Sequence, residues 1–105
     1  MRRLAALAAV LAPLIGCTAA EPKTEVAART VHSWEATVRM TFEALGRGAV
    51  PPVYARQVLR AAVESRRQQA EQAEWNTLPA PLRTGLDQAI QQLARSVGER
   101  PGAAP

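Results

Sequence analysis

Apolar residues recur at spacings of three and four along three stretches of this chain, the period of one helical face. In the first stretch, Glu25 to Leu45, the stripe is Val31, Trp34, Val38, Phe42 and Leu45. Thr24 stands where an N-cap hydroxyl belongs, and Glu35, Arg39 and Glu43 follow one another a turn apart on a separate face. Gly46 is expected to take the left-handed C-cap and Gly48 to loosen the link. Pro51-Pro52 opens the second helix, because a first-turn proline leaves no intrahelical bond unmade. Its apolar side is Tyr54, Val58, Leu59, Ala62 and Val63. Beyond Glu64 the pattern turns polar (SRRQQAEQAE), and only Ala70 and Ala73 continue the stripe. That half is helical by propensity; it either packs closely through its alanines or projects past the core. Asn76 to Pro81 forms the second connection. Ala80 precedes a proline and is biased toward extended backbone, so the third helix is expected from Pro81. Leu82, Leu86, Ile90, Leu93 and Val97 give it the cleanest stripe, with Gly85 a local propensity cost and Gly98 a stop. No segment alternates with period two. The expected fold is all-α, a small antiparallel three-helix bundle whose first and third helices supply most of the core.

The N-terminal pattern differs in kind. Met1-Arg2-Arg3 precedes an uncharged apolar run from Leu4 to Ile15. About a dozen residues suit the core of a signal peptide, whereas a membrane-spanning helix needs roughly twenty. Pro13 disrupts the helix just before the end of the run, which presents extended backbone to a peptidase. The run ends in Leu14-Ile15-Gly16-Cys17, which holds the only cysteine, so an internal disulfide is excluded. An ordinary secretory signal would place small residues at both recognition positions, and Ala12-Pro13-Leu14 does so poorly.

Over residues 1–17 this arrangement resembles the signal peptides of bacterial lipoproteins. The resemblance implies a diacylglyceryl group on the Cys17 sulfur, cleavage just before Cys17 and acylation of the new amino group. Leu14, Ile15 and Gly16 would be the signal-peptidase recognition residues. One acyl chain binds a membrane only reversibly, but two or three give stable attachment at about 0.8 kcal/mol per buried methylene. The chain then divides into a signal peptide at 1–16, a helix of its own in the precursor. The lipidated cysteine and tether follow at 17–24, a helical domain at 25–98 and a disordered tail at 99–105. The seven residues Thr18 to Thr24 reach at most about 25 Å, which keeps the domain near the bilayer. Thr18 stands where some inner-membrane lipoproteins carry an aspartate, so the resemblance points to the outer membrane, facing the periplasm.

Composition adds mainly exclusions. The formal charge of +4 includes Arg2 and Arg3, so the chain after cleavage is closer to balance. Its basic residues alternate with acids and glutamines, without stacking aromatics beside them, and nucleic acid is not an expected partner. His32 and Glu35 share a helical face, but two ligands do not make a metal site. Ser33 points away from His32, which leaves no nucleophile–base pair. Gly46 and Gly48 do not form a phosphate loop, and the paired carboxylates Glu71 and Glu74 fall in the most solvated stretch. No catalytic residue, metal or cofactor is expected. Trp34 belongs to the core stripe. Trp75 either folds over Leu78 and Leu82 to seal the turn or serves as an exposed anchor for a partner. Arg66, Arg67 and Trp75, on the polar stretch Glu64 to Trp75, are the candidate partner contacts. The expected function is a lipid-anchored envelope protein acting as a helical interaction module on another envelope protein. The alternatives are a structural accessory lipoprotein of a secretion, conjugation or phage-lysis apparatus, and a small-ligand binder, for which so small a bundle has little room.

Overall fold

The computed structural model describes Pro22 to Gly98, and these residues form three α-helices and one short 3-10 helix, without a strand. The order is α1 (Lys23–Gly46), α2 (Pro52–Ala70), the 3-10 helix (Ala73–Thr77) and α3 (Ala80–Val97). The expected signal peptide at 1–16 with its recognition residues Leu14 to Gly16, the expected lipidation site Cys17 and the expected tail from residue 99 lie outside the described residues. The all-α small bundle is therefore the observed fold of the helical domain.

Each connection is short, so successive helices run back along one another. Proline starts both α2 and α3. Pro51 and Pro79 hold extended backbone at the N-caps of these helices, and a second proline follows within the first turn of each. Helix α1 begins earlier than the sequence pattern implies. Its N-cap is Pro22, and no side chain caps it, so Thr24 lies inside the helix. Gly46 is likewise the last helical residue, followed by Arg47 in right-handed geometry. The left-handed residue in this link is Gly48, at φ 71°. Gly98 closes α3 in left-handed geometry as expected, at φ 74°.

The core is one cluster drawn from all four elements. From α1 it takes Ala27, Val31 and Val38; from α2, Ala55, Leu59 and Ala62; from α3, Leu86, Ala89, Ile90, Leu93, Ala94 and Val97. Trp75 and Leu78 close it at the turn before α3. The most extensive interface joins α1 to α3, as their long apolar stripes imply. Alanines recur on the inner faces of all three helices, which lets the backbones approach closely.

Two stripe residues fall elsewhere. Phe42 is 36% exposed, and Thr41 takes the buried place between Val38 and Leu45. The burial costs Thr41 little, because its hydroxyl donates to the Thr37 carbonyl at 2.8 Å. Tyr54 is 47% exposed, because the inner face of α2 begins one residue later, at Ala55.

Gly85 lies where α3 meets the side chains of α1. A β-carbon there would collide with the Glu35 carboxylate, and Arg39 Nη2 reaches the Gly85 carbonyl at 3.4 Å. The obstacle is the mobile end of a side chain, not backbone. Gly85→Ala is therefore expected to change stability by no more than about 0.5 kcal/mol. The helix-propensity gain of up to about 1 kcal/mol offsets a disturbed, partly exposed Glu35–Arg39 pair. Gly85→Leu is expected to lose about 2 kcal/mol by overpacking. Urea titration of both variants checks this, and a large loss in the alanine variant would show that the backbone itself blocks the position.

Candidate functional site

The stretch from Glu64 to Trp75 carries the three candidate contact residues, and the structure separates them. Helix α2 stops at Ala70; the chain turns at Glu71 and Gln72 and resumes as the 3-10 helix that carries Trp75. This break turns Trp75 inward, where it is 8% exposed in the same cluster as Leu78, with Leu82 packed against it. Of the two readings of Trp75, sealing the turn is the one observed; it is not an exposed anchor.

Arg66 is drawn into the same joint. Its Nε donates to Asp87 Oδ1 at 3.0 Å and its Nη2 to Asp87 Oδ2 at 3.4 Å, a two-pronged pair between α2 and α3. Its guanidinium carbon also lies 5.1 Å from the centre of the Trp75 ring, within cation–π range. Arg66 and Trp75 thus clasp the end of α2 to the start of α3. The second half of α2 packs, with Ala62 buried and Val63 and Ala70 half-buried against the core.

Arg67 remains on the outside. It donates to Glu64 one turn before it and to Glu71 one turn after, at 2.5 and 2.6 Å. Gln68 also donates to Glu64, at 3.3 Å. The hydrogen bond from Arg67, followed by its charge, holds the Glu64 carboxyl below the usual glutamate range, and Glu64 in turn raises the Arg67 guanidinium. Both groups stay charged at neutral pH, and the ladder of two carboxylates about one guanidinium presents alternating charge to solvent.

His32 and Ser33 are exposed on α1, and Glu35 is engaged by Arg39 at 3.2 Å. Among the described residues no group of three or more histidines, cysteines or carboxylates could hold a metal. No described helix is long and apolar enough to cross a membrane. Pattern reasoning missed the Arg66–Asp87 pair, because the two residues lie 21 positions apart and only the turn joins them. It missed Gly85 as a contact position for the same reason. Comparison with family models, with curated proteins and with solved structures finds no match to this chain.

Proposed function

We propose that this chain is a small lipid-anchored protein of the bacterial envelope that acts as a helical interaction module close to the membrane surface. The observation that carries the reading is Leu14-Ile15-Gly16-Cys17 at the end of an apolar run behind two arginines. Cys17 would carry the lipid, and Leu14, Ile15 and Gly16 would guide the cut before it. The described domain supports the reading through what its surface offers. Several of its charged side chains pair along one helix, as Arg39 with Glu35 and Arg67 with Glu64 and Glu71, while Arg66 with Asp87 joins two helices; a helical surface of this kind offers shape and charge to a partner. Since Arg66 and Trp75 are committed to the fold, any partner must use other surface. On this reading the lipid faces the periplasm from the outer membrane and the partner is an envelope protein.

Mass spectrometry of the native chain against Cys17→Ser tests the anchor. The native protein is expected to begin at Cys17 and to carry acyl chains, whereas the serine variant accumulates as an uncut, unmodified precursor. A native chain with an intact N-terminus and a free thiol would overturn the reading.

A further inference from the structure

The three grooves between the helices differ in charge. Glu35 and Arg39 line the one between α1 and α3, beside Gly85. The Arg66–Asp87 pair spans the one between α2 and α3. The groove between α1 and α2 is built otherwise. On α1 it follows the flank away from Gly85, one position before each inner residue: Val26, Thr30, Ser33, Thr37, Met40 and Ala44. Helices running in opposite directions turn in opposite senses when viewed from one end, so the same flank of α2 lies alongside. There the positions before Ala55, Leu59, Ala62, Arg66 and Ala70 are Tyr54, Val58, Ala61, Ser65 and Gln69. No position in either row is charged, and Lys23 and Arg47 lie beyond the two ends. Three of the five exposed large apolar side chains among the described residues, Val26, Met40 and Tyr54, belong to this face. Its threonines are already satisfied within α1: Thr30 donates to the Val26 carbonyl at 3.0 Å and Thr37 to the Ser33 carbonyl at 2.8 Å. Covering them leaves neither hydroxyl proton without an acceptor.

We infer that this uncharged face binds a second copy of the same chain, face to face across a two-fold axis. Under that symmetry a residue close to the axis meets its own copy, so a charge there would oppose a like charge. A face that meets itself must therefore be free of charge near its middle, and this one is free along its whole length. A surface shaped for a charged partner would instead carry the complementary sign. The two helices give a face about 25 Å long and about 20 Å wide. That is about 500 Å² from each copy, or about 1,000 Å² in total, the size from which specific interfaces begin. Its make-up matches the centre of such interfaces, where charge is depleted and tyrosine and methionine are enriched. The inference rests on the reading of the chain as an interaction module, for which it names a partner, and draws nothing from the proposed anchor.

Sedimentation equilibrium of the full chain in an uncharged detergent, with micelles in large excess over protein, measures the association. A dimer is expected. Thr37→Glu with Ala61→Glu places carboxylates in the middle of the face and should weaken the dimer by at least about tenfold. Gln88→Glu with Gln91→Glu adds the same charge to the exposed side of α3. That pair should change the association by less than about twofold. Circular dichroism reports whether each variant is folded. If the Thr37 and Ala61 double variant fails to fold, Met40→Ser with Tyr54→Ser should still weaken the dimer several-fold. In cells, a photo-crosslinking residue in place of Met40 should give an adduct of twice the chain mass, and one in place of Gln91 should not. A monomer at every concentration, an equal loss from the α3 pair, or adducts from the Met40 position with other proteins alone would overturn the inference. Failure of the anchor shows separately, in the mass of the N-terminus.

Discussion

Leu93→Ala is expected to lower folding stability by about 3–4 kcal/mol, close to half of what a chain of this size has. Leu93 is fully enclosed on α3, and alanine and valine make up much of the surrounding core. Short side chains cannot swing in to fill the space left by three lost carbons, so most of the cavity persists. Phe42→Ala provides the contrast. It deletes more carbon, yet Phe42 lies at the edge with 36% of its surface in water, and the loss should stay below about 1.5 kcal/mol. Urea unfolding followed by circular dichroism measures both. A larger loss at Phe42 than at Leu93 would contradict the packing described.

That contrast also shows how far the chain's pattern could be read. The stripe of α3 was legible throughout, because leucine, isoleucine and valine fall on one face with nothing competing. On α1 and α2 the same rule named Phe42 and Tyr54 as inward. Periodicity fixes a face only to within one position, and hydrophobicity then favours the larger residue. The fold chose Thr41 and Ala55, one able to bond its own backbone and the other small enough for close approach. Helix ends were legible where proline or a left-handed glycine sets them, as at Pro51 and Gly98. They were not where the competing residues were neutral, so Lys23 and Thr24 joined α1 in place of the tether. At the candidate site, Trp75 was recognised as a residue with two fates. Its actual fate depends on Asp87 and on the break after Ala70, neither of which leaves a local signature.

Trp75→Ala is expected to cost about 3 kcal/mol. The indole is nearly buried and is the largest side chain in the core cluster, and its removal would open the seam between the 3-10 helix and the start of α3. Arg66→Ala should cost less, about 1 kcal/mol, since both partners in the Arg66–Asp87 pair keep 39% of their side-chain surface in water. The informative quantity is the coupling. With Trp75 absent, Arg66 loses the ring beneath it, so the double variant should be less destabilised than the sum by about 0.5–1 kcal/mol. A double-mutant cycle in urea gives that number. If Trp75→Ala cost less than about 1 kcal/mol, the indole would not be a structural seal, and a role in binding would return.

The pairing of α1 with α3 bears on how this chain reaches its native state. The most extensive interface joins segments that are not neighbours in sequence, with Arg39 meeting Gly85 across 46 intervening steps of chain. Either hairpin alone, α1 with α2 or α2 with α3, closes at a lower entropic cost but gains only a minor part of the burial. Neither half is then a stable island. The chain is therefore expected to come apart in a single cooperative step, with both ends released together.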